Sequence, residues 1–98
     1  MARQSITKKL DDLKPEQVFE AGKITFNELG MEIYKMRSIA FLVQARTTGK
    51  GDLILANIIA NPFLNEISLT VKSETASQDT VDAVTQKIFG TLEKHLGK

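Results

Sequence analysis

Ile39-Ala-Phe-Leu-Val-Gln-Ala45, Leu53-Ile-Leu-Ala-Asn-Ile-Ile59 and Ile67-Ser-Leu-Thr-Val71 follow one another with only Thr48-Gly-Lys-Gly-Asp52 and Asn61-Pro-Phe-Leu-Asn65 as major breakers. The three segments are rich in β-branched and aliphatic residues and alternate in polarity, which is the pattern of strands. Breakers this short permit antiparallel neighbours and exclude parallel crossovers, which need about a dozen residues or more. Ile39, Phe41, Val43 and Ala45 are expected on one face, as are Ile67, Leu69 and Val71. Segment 53–60 is apolar on both faces, the pattern of a strand covered twice or of a sheet with an exposed apolar surface.

Helical patterns flank this block. Pro15 suits a first helical residue, and Val18, Gly22, Phe26 and Leu29 recur at helical spacing before Gly30, a natural stop. Gly22, Ile24 and Thr25 weaken that helix internally, so a break near Gly22 is an alternative. At the other end Val81, Val84, Ile88, Leu92 and Leu96 form a stripe, predicting a helix over about 76–95. Thr75 with Gln78 reads as a capping box, with Ser77 as a rival cap. Phe89 lies off the stripe, to flank the core or to contact a partner. Met31–Met36 reads as a short strand or an irregular lead-in. Residues 1–13 read as an arm or short helix carrying Ile6, Leu10 and Leu13. The expected class is therefore α+β: a three- to four-stranded antiparallel meander between two helices, α-β-β-β-α, with residues 14–98 as one domain.

Bulk properties narrow the function. The 98 residues are 42% hydrophobic and 26% charged with a formal net charge of +1, a globular composition without a bulk pull toward nucleic acid. The absence of cysteine removes disulfide, thiolate and Cys-zinc chemistry and suits a cytoplasmic setting. No apolar run approaches a membrane span, so neither a spanning segment nor membrane insertion is expected.

The motifs that suggest chemistry do not hold together. Gly22-Lys-Ile-Thr-Phe-Asn-Glu-Leu29 matches the second half of a calcium loop. Its earlier ligand positions would be Gln17, Phe19 and Ala21, none of them a carboxylate. Thr48-Gly-Lys-Gly-Asp52 lies between strands, where a hairpin turn fits better than a phosphate loop. His95 has neither a nucleophile nor a second imidazole near it in sequence. No enzyme activity and no cofactor are therefore expected. The α-β-β-β-α order is also that of the double-stranded RNA-binding domain, but Ser73-Glu-Thr-Ala-Ser-Gln-Asp79 is polar to acidic where that module needs lysines.

Residues 8–96 resemble the C-terminal platform subdomain of the appendage of clathrin-type and coatomer adaptor large subunits. Lys8-Lys-Leu10 with Val18 to Met31 looks like the platform's leading helix. Phe41-Leu-Val-Gln-Ala-Arg-Thr-Thr-Gly-Lys-Gly-Asp-Leu-Ile-Leu-Ala-Asn-Ile-Ile59 looks like its central strands around a tight turn. Glu66-Ile-Ser-Leu-Thr-Val-Lys-Ser73 with the terminal helix is similar to its closing elements. The likeness does not extend to the family's β-sandwich, and Leu53 stands where a tryptophan is expected. The resemblance implies a non-enzymatic module of vesicle coats and protein transport that binds short peptide motifs of accessory proteins. Tyr34, Arg37, Leu42, Phe63 and Leu64 are the expected peptide-binding residues. Tyr and Arg suit interface anchors, and the 61–65 loop offers apolar groups, unless Phe63 and Leu64 fold back over the core. The alternative is a small homodimeric α+β protein with a chaperone-like or regulatory role.

Overall fold

The computed structural model describes residues 1–49 and 51–97. Its elements are β1 (Ala2–Lys9), α1 (Pro15–Glu28), β2 (Glu32–Arg37), a 3-10 turn (Ser38–Ala40), β3 (Leu42–Gly49), β4 (Asp52–Asn61), β5 (Glu66–Ser73) and α2 (Gln78–His95). The strands form one fully antiparallel sheet in the order β1-β5-β4-β3-β2. The meander expected from the sequence is its centre, and both helices pack on one face of it.

The sheet is larger than expected because the N-terminal segment is a strand. Neither a helix nor an arm forms at residues 2–9; β1 pairs with β5 from Ala2 opposite Ser73 to Lys9 opposite Glu66. Ile6, Leu10 and Leu13 are spaced as a helical stripe, yet Arg3, Ser5, Thr7 and Lys9 are exposed and the residues between them are not. That period of two in burial follows from pairing, and the open edge of β5 decides for the strand over the helix. Residues 32–37 also form a strand rather than a lead-in, with a bulge between Ile33 and Lys35.

α1 runs unbroken through Gly22. A side chain at Gly22 would lie against Val43 and Ile58, so this glycine sits where the helix lies close on the sheet. Helix α1 stops before Gly30, whose positive φ of 72° suits glycine. At the second helix the rival cap operates: Ser77 Oγ accepts from Thr80 N at 3.2 Å. Gln78 therefore begins α2 instead of closing a capping box.

The core lies between the helices and one sheet face. Val43, Ile58, Leu69 and Val71 project from the strands to meet Val18 and Phe26 of α1 and Val81, Ile88 and Leu92 of α2, all of them fully buried or nearly so. Phe89 flanks this core, with Lys8 Nζ over its ring at 5.8 Å. One expected face needs correction. Ile39 and Phe41 precede β3 rather than belonging to it: Ile39 is 93% exposed in the 3-10 turn, and Phe41 takes a left-handed conformation before the strand begins at Leu42. Among the described residues, no helix is long and apolar enough to cross a membrane.

Candidate functional site: the uncovered face of the sheet

Side chains alternate across a sheet, so the register assigns each strand residue to the helical side or the opposite side. Ala56 lies between Ala45 and Val71, all buried beneath the helices. Their neighbours point the other way. Leu55 lies between Arg46 of β3 and Lys72 of β5, Asn57 between Gln44 and Thr70, and Ile59 between Leu42 and Ser68. The five strands therefore carry an aliphatic centre on the uncovered side: Leu42, Leu53, Leu55 and Ile59. This resolves the two-faced apolarity of segment 53–60, with one face under helices and the other partly open.

Charge is distributed unequally about that centre. Arg3, Lys9, Lys35, Arg37, Arg46 and Lys72 lie on this side by register, against the carboxylates of Glu32 and Glu66. The whole chain carries a formal charge of only +1, so positive charge is concentrated here and negative charge on the helical side. Arg46 is the best-positioned cation. Its Nε bonds Glu32 Oε1 at 2.5 Å, and its guanidinium lies 5.4 Å from the Tyr34 ring centroid.

Two hollows meet at Leu53, which is 46% exposed. One, of about 380 Å³, lies against Met1, Leu55, Lys72 and the carboxylate-bearing Glu74; the other, of about 500 Å³, against Gly30, Glu32, Arg46 and Thr48. Near the middle of the sheet, Asn57 Oδ1 is buried without a hydrogen-bond partner. A carbonyl oxygen in that condition is an acceptor with unused capacity, which costs stability unless a donor arrives.

The expected site residues divide into two groups. Arg37 and Leu42 are direct cross-strand partners, and Tyr34 lies on the same strand as Arg37, at the bulge. Phe63 and Leu64 do not join them on the sheet face. They occupy the β4–β5 turn at one end of the sheet, 96% and 63% exposed. The alternative, that they fold back over the core, is therefore overturned. Asn61 Oδ1 accepts from both Phe63 N (3.0 Å) and Leu64 N (3.2 Å), and this side-chain turn directs the loop outward.

Leu53, Leu55, Ile59, Arg46 and Lys72 were not among the expected peptide-binding residues. The apolarity of both faces of β4 pointed to the first three. Arg46 and Lys72 lie 26 positions apart in the chain, and only their common partner Leu55 places them together.

The remaining titratable contacts are structural. His95 Nε2 and Lys94 Nζ approach the Glu28 carboxylate at 3.1 and 3.4 Å, joining the C-terminal ends of the two helices. Partial desolvation raises the Glu28 pKa, but hydrogen bonds from His95 and Lys94 and their positive charge outweigh it, leaving the carboxyl below its ordinary value. Among the described residues no group of three or more His, Asp or Glu side chains converges as a metal site would require. A scan against protein-family models and a search of curated proteins match nothing to this chain.

Proposed function

We propose that this protein is a non-enzymatic, cytoplasmic interaction module that holds short peptide segments of accessory proteins against the uncovered face of its sheet. The observation that carries the reading is the row Arg46–Leu55–Lys72, an aliphatic side chain set between two cations on adjacent strands. An extended segment with an apolar residue flanked by carboxylates is complementary to that row, with Lys72 in no ion pair among the described residues and Arg46 shared with Glu32. Leu53 and the hollows beside it offer the apolar residue somewhere to sit. Tyr34, Arg37 and Leu42 extend the same surface toward β2. The resemblance of residues 8–96 to the appendage platform, corrected in that Lys8 and Lys9 belong to β1 and not to a leading helix, points the same way, toward recruitment of accessory proteins in vesicle-mediated transport. Binding is expected to be weak, because a shallow face without tryptophan desolvates little anchor area.

A displayed peptide library, followed by amide chemical-shift mapping of selected sequences, tests this reading. Acidic-apolar peptides should be enriched and should perturb a contiguous patch around Leu53, Leu55 and Ile59. The double charge reversal Arg46→Glu, Lys72→Glu should abolish those shifts. Shifts confined to the helical side, or no selected peptides, would reject the proposal. The homodimer alternative uses the same aliphatic surface against a second copy. It requires a concentration-dependent solution mass that falls to the monomer's on Leu42→Asp.

A further inference from the structure

Three of the most exposed apolar side chains in the protein gather at the end of the sheet remote from Leu53 and Leu55. Phe63 and Leu64 cap the β4–β5 connection, and Ile39 caps the β2–β3 connection. The two turns are neighbours, because Ala60 N donates to Phe41 O at 3.2 Å. Strand spacing puts them about 10 Å apart. We propose that this end of the molecule seats in the interfacial layer of a phospholipid bilayer, with Ile39, Phe63 and Leu64 as a shallow apolar anchor.

Three features favour a bilayer over a protein groove. First, these side chains protrude from convex turns, and Phe63 and Ile39, at 96% and 93% exposed, leave almost their entire surface to be covered from outside. Second, the amides of the two apolar residues in the β4–β5 turn already have hydrogen bonds. Phe63 N and Leu64 N both donate to Asn61 Oδ1, and Asn65 O accepts from Leu10 N at 3.0 Å. Amides satisfied internally can leave water without the penalty that bars most loops from the acyl boundary. Third, Arg37 and Lys9 end their strands at this side of the sheet and form no ion pair among the described residues, so they are available to lipid phosphates. Asp11, Asp12 and Glu66 also lie at this end. The rim is therefore close to neutral, and apolar insertion rather than bulk charge must supply most of the attraction. The sequence-based expectation of no membrane insertion rested on the lack of a long apolar run, and three side chains on adjacent turns need none.

The chain has no tryptophan, so Phe63→Trp installs a single reporter at the tip. Its emission should shift to the blue on adding vesicles of phosphatidylcholine with phosphatidylserine, and less strongly with phosphatidylcholine alone. Ile39→Ser with Leu64→Ser in that background should reduce partitioning about tenfold or more while the circular dichroism spectrum is unchanged. The Arg46→Glu, Lys72→Glu variant should still bind vesicles, so failure of the peptide reading and failure of this one are separable. No blue shift with either vesicle overturns the inference. So does adsorption that survives loss of Ile39 and Leu64, which would be charge alone. A blue shift that grows with protein concentration in the absence of lipid assigns the tips to a second copy instead.

Discussion

The side-chain amide of Gln78 is hydrogen-bonded reciprocally to the backbone of Arg3, 75 residues away: Arg3 N donates to Oε1 at 3.3 Å, and Nε2 donates to Arg3 O at 2.9 Å. One residue of α2 thus occupies the outward-facing hydrogen-bond positions of β1, the edge strand, as another strand would. The same Nε2 also reaches Asp82 Oδ1 at 2.9 Å, which fixes the amide on the helix. Exposed edges invite pairing with other chains, and this one is partly closed by the element that caps the core.

Replacing Gln78 with Ala should therefore cost about 1 kcal/mol and loosen the start of β1 rather than unfold the protein. Hydrogen exchange at the Arg3 amide should accelerate about fivefold. Unchanged exchange would mean that the β1–β5 ladder alone holds this end.

Gly22→Ala should stabilise the protein by roughly 0.5–1 kcal/mol, because glycine in a helix interior is entropically unfavourable. A Cβ at this position would meet Val43 and Ile58 methyls at 3.5 Å, an ordinary contact distance. A lower midpoint in urea would show that the seam between α1 and the sheet cannot take a methyl group.

Thr25 is fully buried, and its hydroxyl has no hydrogen-bond partner. Thr25→Val keeps the branched shape and removes the unpaired polar atom, so it should be neutral or stabilising by up to about 2 kcal/mol. Thermal melts decide this, and a marked loss of stability would reveal an unrecognised partner for the hydroxyl.

The Glu28 carboxyl is held below its ordinary pKa in the folded state, so folding favours its ionised form. Its contribution is complete above the unfolded carboxylate range and is lost as pH falls through the folded pKa. The difference in melting temperature between the wild type and Glu28→Gln should be largest near neutral pH and shrink below about pH 5. A difference that stays constant or widens with acidity would mean that the contacts to Lys94 and His95 do not depend on the charge of Glu28.

The central meander and both helices could be read from local pattern, because each has a period and a stop of its own. Alternation runs through β5, a β-branched and aliphatic run between two breakers marks β4, Pro15 and Gly30 bracket α1, and the Val81–Leu96 stripe marks α2. Within the candidate site, Tyr34, Arg37 and Leu42 were legible as residue types suited to interfaces. Three matters required the tertiary structure. Residues 2–9 carry both a weak helical stripe and a weak alternation, and the unpaired edge of β5 selects between them. Phe63 and Leu64 are apolar, which in sequence reads equally well as core or as contact surface, and the Asn61 turn sends them outward. Arg46 and Lys72 acquire a common neighbour only through strand register, which depends on pairing between distant segments. Local periodicity is a property of the chain and was readable in it; edges, faces and neighbours are properties of the packed sheet.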